Sequence, residues 1–499
     1  MKIFISYENM KRDFNGRMLL LSKFAKFKNV KEIYLGWHKD IFFELLRSVF
    51  NYKDKLILID CNNFDFKFPF IKLLKYFNFD YYTFDEEEVG ISYLKDEDII
   101  KSRFLEKKFA AIISGKFVLG EKNYLIAQKF MTKNFEKVFN TGHPRIDFIK
   151  NVDINRKIIE ENLPIKKNFV FICLPEALFR IYLFLKQEKN KKLSHFNFMK
   201  GRYYYIHNFL INIKKIVKKN NDKNFILRVH PSDKEFEIKY HTFFQDCKNI
   251  DFDTSLNTLF FIPKCEFLIC GLDFVAVESN FLRKKALCYI GNAFDFDKNY
   301  DGHFSSNLPN LIYCKNFDEL KESFDDLKEN DKNKKIPKVS EKIASLLSFN
   351  KDSTNLIKEI IVKKSFVKEK ESLLKNISRS LIKFCLIDIF KYICNLKKKN
   401  YKDFGEIDFK KFKKQFKFSP KKIFLSLFTS RIFLACLYKC LFYINFKDHS
   451  IYRMSGQQQK ITQDELDLFL KFNKIDRDKY EIKLLQQGLY LRIKKIDQF

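Results

Sequence analysis

The sequence predicts an α/β protein built from two Rossmann-like domains facing a cleft, followed by a mostly helical, basic C-terminal appendage. Three observations carry this expectation. Short apolar runs alternate with longer helical patterns through residues 1–150, and the alternation resumes after a polar break at Asp153–Asn168. After about Lys334 the strand signals fade and Lys runs take over. Strands alternating with helices imply a parallel sheet with βαβ crossovers, and two such series imply two sheets.

In the first series, Lys2–Ser6, Glu32–Leu35, Leu56–Asp60, Tyr81–Phe84 and Ala110–Ser114 are expected as strands. Gly16–Phe27 and Asp40–Phe50 are expected as helices between them. The charged residues and Pro164 of Asp153–Asn168 suit an interdomain linker. In the second series, Phe169–Leu174, Asn224–His230, Phe267–Gly271 and Ala286–Ile290 are expected as strands, with helices at Tyr205–Lys219 and from Phe274. The resulting division is 1–152, 165–335, a helix within 336–365 that packs back on the first domain, and an appendage over 366–499.

The length of 499 residues suits two to three domains, and 46% hydrophobic content supplies sizeable cores. Sixty Phe against one Trp points to an AT-rich coding bias, so part of the Lys excess is discounted as drift. The net charge of +32 still draws the chain toward anions: nucleic acid, anionic lipid or a phosphorylated substrate. Eleven scattered Cys without a CxxC pair fit neither a disulfide framework nor a zinc site, and suit reduced thiols in a cytosol. No apolar stretch of signal-peptide length follows the first strand, so a cytoplasmic location is expected.

Ligands of open α/β sheets sit beyond the carboxyl ends of strands, so polar clusters there are the candidates. The first is Asp85-Glu86-Glu87-Glu88 with Gly90. Crowded carboxylates repel, which raises one pKa unless a cation such as Arg103 intervenes. Such a group can deprotonate an acceptor hydroxyl or attack an anomeric carbon, and a solvated acidic turn is the alternative. The second cluster is Thr141-Gly142-His143-Pro144-Arg145-Ile146-Asp147, where Gly142 permits a tight turn, Pro144 fixes the exit, and Arg145 and Asp147 are placed to pair. The third is Arg228-Val229-His230-Pro231-Ser232-Asp233, a candidate anion site. The fourth runs from Gly271 through Asp273 and Glu278 to Ser279, a strand-to-helix turn whose N–H groups and macrodipole suit a phosphate, with Glu278 about one turn in as a candidate to face a ribose; an ordinary strand-to-helix turn is the alternative. Neither G-x-G-x-x-G nor a Walker loop is present, which removes support for the commonest dinucleotide and ATP sites.

Taken together, these segments resemble the bacterial surface-carbohydrate biosynthesis proteins of GT-B fold, related to CMP-sugar-dependent Kdo transferases and sialyltransferases. The resemblance spans roughly residues 1–300 and rests on five segments in order. They are Tyr7-Glu8-Asn9 through Asn15-Gly16, Phe84-Asp85-Glu86-Glu87, Gly142-His143-Pro144-Arg145-Ile146-Asp147, Arg228 to Asp233, and Gly271 to Ser279. The resemblance implies a glycosyltransferase with a catalytic carboxylate among Asp85, Glu86 and Glu87. It implies a CMP-activated donor held by Arg228, His230, Pro231, Ser232 and the Gly271–Ser279 turn. Glu8, Asn9, Gly16, Arg103, Gly142, Pro144, Arg145 and Asp147 would then line the cleft between the domains. Glu88 departs from a family Gly, and Asp273 from a hydroxyl residue.

The implied donor sugar is Kdo or a sialic-acid-like nonulosonic acid, and the acceptor a cell-surface glycan or its lipid-linked precursor. No cofactor is expected; no metal motif is visible, so cationic side chains would neutralise the leaving phosphate. A teichoic-acid-type CDP-polyol phosphotransferase shares the Pro-Arg and His-Pro segments, but Leu272-Asp273 lacks its Ser-Ser pair. A non-catalytic GT-B scaffold is the third reading, and a nucleic-acid binder the last, since no zinc, RNP-like or helix-turn-helix signature is present. Leu381–Leu396 and Ile423–Phe446 are apolar but carry Lys383, Lys391, Arg431 and Lys439. That pattern suits either helices lying on an anionic membrane surface or core helices with a wet face, rather than spanning helices.

Overall fold

The computed structural model describes residues 1–7, 10–37, 55–61, 79–84, 107–157, 168–187, 193–253, 257–271, 273–291, 310–330, 347–367, 480–485 and 490–495, with single positions among 41–48, 71–74, 308 and 466–475. The first half opens with β1 (Lys2–Tyr7), α1 (Met10–Ala25), β2 (Glu32–Trp37), β3 (Leu56–Cys61) and β4 (Phe79–Phe84). It continues through α2 (Lys107–Ile112), β5 (Gly115–Val118), α3 (Glu121–Phe130), β6 (Val138–Asn140) and α4 (Pro144–Ile154). The second half holds β7 (Val170–Cys173), α5 (Leu178–Gln187), α6 (Leu193–Lys219), β8 (Phe225–Arg228), α7 (Glu237–Phe243), β9 (Ile250–Phe252) and α8 (Thr258–Phe261). It ends with β10 (Leu268–Cys270), α9 (Phe274–Phe281), β11 (Ala286–Tyr289), β12 (Leu311–Cys314) and α10 (Phe317–Asn330). A last helix, α11 (Ser353–Val367), packs along α1 and α4 of the first half.

Two sheets form, as the alternation predicts. The second has the order β12-β11-β10-β7-β8-β9 and is parallel throughout. Its order reverses between β7 and β10, which places a ligand crevice beyond their carboxyl ends. The first sheet runs β2-β1-β3-β4-β5-β6 in parallel. Strands such as Lys-Ile-Phe-Ile-Ser-Tyr are buried along their whole length, as expected where both faces of a parallel sheet are covered. At the carboxyl ends, the buried Asp60 carboxylate on β3 accepts from Ser6 on β1 and from the Tyr81 hydroxyl on β4 at 3.2 Å. One anion thereby holds three adjacent strands in register.

Several expectations need correction. Ala110–Ser114 is not a strand: α2 occupies Lys107–Ile112 and β5 begins at Gly115. Its Ala-Ala pair favours helix over strand, and the apolar content alone misled. The segment read as a linker starts inside α4, which runs to Ile154. The short strands β9 and β12, three and four residues long, are too short for a repeating pattern to announce them. Most distant of all, the final stretch of the expected helical appendage forms a hairpin, β13 (Tyr480–Leu485) and β14 (Tyr490–Lys495). β14 pairs antiparallel with β2, burying Leu491 and Ile493, and the Tyr480 hydroxyl donates to Ala25 O at 2.9 Å. The apolar segments Leu381–Leu396 and Ile423–Phe446 lie outside the described residues. Among the described residues, no helix is long and apolar enough to cross a membrane.

Two glycines of the motifs have packing reasons. A Cβ at Gly16 would lie 2.9 Å from Arg145 N and 3.0 Å from the Pro144 carbonyl carbon, so α1 can press its backbone against the start of α4 only without a side chain. Gly142 has φ +79°, in the left-handed region that favours glycine, and its missing Cβ leaves room for Ser353. Alanine ordinarily improves a mid-helix glycine by about 0.8–1.0 kcal/mol. Gly16→Ala is expected to do the reverse, lowering the unfolding free energy by about 1–3 kcal/mol because the obstruction is backbone. Urea denaturation of the full chain measures the sign.

Candidate functional site

Each half presents a His-Pro turn at the carboxyl end of a strand, and the two turns share one construction. After β6, His143 caps α4: its Nδ1 accepts from Arg145 N at 3.1 Å, and Pro144 takes the first helical position, where its missing N–H costs nothing. After β8, His230 caps a 3₁₀ turn at Pro231–Phe236: its Nδ1 accepts from Ser232 N at 3.2 Å, with Pro231 in the same place. Both imidazoles are held neutral. Burial lowers His143 well below its usual value, helped by Arg17, Arg145 and Arg12. Burial lowers His230 to about 4, helped by Arg12, Arg202 and Arg180. A neutral ring accepting at Nδ1 carries its proton on Nε2, so each is a hydrogen-bond donor on that side.

The aspartate after each turn caps a neighbouring helix. Asp233 accepts from Phe179 N at 2.9 Å and Arg180 N at 3.1 Å at the start of α5, and from the Tyr240 hydroxyl at 2.6 Å. Asp147 accepts from Thr354 N at 2.7 Å at the start of α11 and from Lys150 at 3.0 Å. The expected Arg145–Asp147 pair therefore does not form. Asp147 faces the returning helix instead, and Arg145 reaches into the other half.

That reach joins the two halves. Arg145 donates to Glu278 Oε1 through Nε at 2.9 Å and Nη2 at 2.6 Å, and its guanidinium lies 4.1 Å from the Phe274 ring centroid. Phe274 and Glu278 stand four residues apart on α9, hence on one face. Further out, Arg283 holds Asp153 at 2.7 and 2.8 Å and Arg156 donates to Leu282 O at 2.8 Å. Phe148 meets Phe260 edge-on and Phe281 stacks on Phe349 at 4.1 Å.

The Gly271–Ser279 turn differs from its expected role as an open phosphate cradle. The Asp273 side chain is itself the cap of α9, accepting from Val275 N at 2.9 Å and Ala276 N at 3.3 Å. Those N–H groups are thus already taken. Gly271 is needed for close packing, since a Cβ there would lie 2.5 Å from both Pro175 and the Tyr205 hydroxyl. Ser279 is fully buried and donates to Ala276 O at 2.8 Å, so its hydroxyl faces its own helix. Glu278 remains available in part: it is 1% exposed, and Oε2 has no hydrogen-bond partner. Arg228, 6% exposed, likewise has Nη1 without a partner and feels the charges of Asp253 and Glu278.

Sequence reading missed the arginines around His230. Arg202 on α6 is gripped by Glu176 at 2.6 and 2.7 Å, Arg180 on α5 meets Glu235 at 3.5 Å, and Arg12 on α1 is tied to Asp13. Arg12 stood inside a quoted motif; Arg180 and Arg202 lay in a Lys-rich stretch where nothing marks one cation from another. Arg17 is also buried, its guanidinium 3.4 Å from the Phe84 ring centroid, and Phe84 meets His143 at 5.0 Å. Phe84 is the last residue of β4. Asp85, Glu86 and Glu87 follow it, and they, Glu88, Gly90, Glu8, Asn9, Leu272 and Arg103 lie outside the described residues. Among the described residues no group of three or more His, Cys, Asp or Glu is placed to hold a metal ion.

No protein-family model and no curated protein matches the chain. Among solved structures, a UDP-GlcNAc 2-epimerase from Neisseria meningitidis bound to UDP-GlcNAc aligns over 73% of this chain and all of its own, at 13% identity and a TM-score of 0.48. A UDP-GlcNAc 2-epimerase from Methanocaldococcus jannaschii in complex with UDP-GlcNAc and UDP aligns over 73% and 100%, at 13% identity and a TM-score of 0.45. The wall teichoic acid polymerase TagF aligns over 67% and 95%, at 13% identity and a TM-score of 0.36. The chain's own two Rossmann-like sheets, bridged by the Arg145–Glu278 contact, make the two-domain GT-B-type architecture expected from the sequence.

Asp273 gives this site a pH signature. Burial pushes its carboxyl up to about 7, with the Glu278 charge adding and the two capping N–H groups and Arg145 opposing. The folded state therefore binds more protons than the unfolded state between about pH 4 and 7, so this group's contribution to stability falls as pH rises through that window. Asp273→Asn keeps a capping oxygen and cannot ionise. It is expected to be more stable relative to the parent at pH 7.5 than at pH 5, as thermal unfolding at the two pH values would measure.

Proposed function

We propose that the chain is a nucleotide-sugar-dependent glycosyltransferase of GT-B type, with the donor nucleotide at the carboxyl ends of β7, β8 and β10 and the acceptor on the first half. The observation that supports this most is that each half presents a His-Pro turn at a strand's carboxyl end, and that Arg145 of the first turn reaches Glu278 in the second half. The cations near His230, Arg12, Arg180 and Arg202, together with Arg228 at the end of β8, suit the phosphate of a departing nucleotide. Neutral His230 would donate Nε2–H to that phosphate, and Glu278 Oε2 would accept from the ribose.

The reaction needs a positioned acceptor and negative charge beside an oxocarbenium-like centre. Asp85, Glu86 and Glu87 continue from Phe84, whose ring touches His143. One of them is proposed as the catalytic carboxylate. CMP is the proposed nucleotide and Kdo or a related nonulosonic acid the proposed sugar, on the strength of the ordered motifs. A surface glycan or its lipid-linked precursor is the proposed acceptor. Cytoplasmic residence, with the basic segment beyond Val367 holding the enzyme at an anionic membrane surface, completes the reading.

Thermal shift with CMP, CDP and UDP tests the nucleotide. The correct one at one hundred times its Kd is expected to stabilise the fold by about 2.7 kcal/mol, while no shift with any of them would favour a scaffold. Arg202→Gln removes a charge-assisted contact worth about 1.5–3 kcal/mol, on the order of a 10–100-fold loss in nucleotide affinity. Asp85→Ala, Glu86→Ala and Glu87→Ala, made singly, are expected to include one that reduces sugar transfer by at least about 100-fold. Transfer surviving all three would remove the catalytic assignment.

A further inference from the structure

Glu278 and Arg145 belong to different halves, and their contact is lopsided. Both guanidinium donors, Nε and Nη2, converge on Oε1, at 2.9 and 2.6 Å. Oε2 is buried with no hydrogen-bond partner. An ion pair made for stability alone gains most from a side-by-side match of two N–H groups to two oxygens. Here the second oxygen is left over, in a residue 1% exposed, where an unpaired acceptor costs about 1–3 kcal/mol. The guanidinium is also steadied where it lies. Its face rests on Phe274, one turn before Glu278 on α9, while its own backbone N–H is tied to His143 Nδ1. Gly16 then fixes the start of α4 against α1, so the arginine is presented from a rigid corner of the first half.

We propose that Arg145 is a cross-cleft positioning residue: it holds Glu278 by one oxygen so that the other is presented to a vicinal hydroxyl pair of the ligand, making recognition of a ribose depend on the first half being seated on the second. This rests on the nucleotide reading above and goes beyond it. The nucleotide-binding half does not complete its own site; the carboxylate that reads the sugar ring is aimed by the other half. The site therefore selects ribonucleotides over 2′-deoxyribonucleotides, and that selectivity is lost when the aiming contact is lost, even though Arg145 does not touch the nucleotide.

The test is calorimetric titration of the full chain with CMP, CDP and UDP and with their 2′-deoxy counterparts, on the parent, Arg145→Gln, Arg145→Lys and Glu278→Gln. The parent is expected to bind the ribo form of its nucleotide at least about tenfold more tightly than the deoxy form, which is 1.4 kcal/mol. Arg145→Gln is expected to bring the ratio close to one chiefly by weakening the ribo form. Arg145→Lys, which restores a single donor to Oε1, is expected to recover part of it. A merely structural role would weaken both forms alike and leave the ratio intact. A ratio unchanged in a folded Arg145→Gln protein, or a parent that binds both sugars equally, overturns the proposal while leaving the nucleotide site standing. A parent that binds none of the nucleotides overturns the function proposed above, and this inference with it.

Discussion

The structure depends on one buried charge contact carried between its two halves. Arg145 and Glu278 are both almost wholly enclosed, and removing one partner of such a pair leaves the other as an uncompensated buried charge, a penalty of about 3–5 kcal/mol. They tie α4 to α9. Around this contact lie the more exposed Arg283–Asp153 pair, the Arg156 contact to a backbone oxygen, and two aromatic pairs. Beside these contacts one buried apolar cluster runs through both halves, with Ile149 and Val152 from the first and Leu259, Phe260 and Val277 from the second, so apolar packing closes the seam along with charge.

The two His-Pro turns show how one local solution serves both halves. In each, a histidine caps through Nδ1, a proline starts the turn, and an aspartate downstream caps a second helix. Burial and the neighbouring arginines keep the imidazoles neutral, and the caps orient their outer nitrogens. The aspartates do a different job: Asp233 anchors α5, which brings Arg180, and Asp147 anchors α11, which braces the first half. The motifs thus combine the residues proposed to face a ligand with framework residues within a few positions of each other.

Much of the fold was legible because parallel sheets covered on both faces leave long apolar runs, such as Lys2–Tyr7 and Leu56–Cys61. The turns were legible because Gly, His and Pro sit beside each other at strand ends. What escaped was set by distance along the chain. Nothing near Arg145 announces Glu278, 133 residues later, so the neighbour Asp147 was the natural but wrong partner. Asp273 looked out of place beside a phosphate because its service as a helix cap depends on where α9 begins. Arg180 and Arg202 acquire meaning only once α5 and α6 bring them beside His230. The hairpin went unseen because short alternating strands are weak signals inside a Lys-rich region.

The hairpin has a consequence for the order in which the molecule is made. β2 leaves the ribosome early, but its outer edge is covered by β14, whose residues are translated about 455 positions later. A domain begun first is in this way finished last. Until then the nascent first sheet carries an open edge, with Ile33 and Leu35 on a strand able to accept foreign partners. Pairing across so long a span closes slowly, so synthesis of the second half proceeds beside an incomplete neighbour.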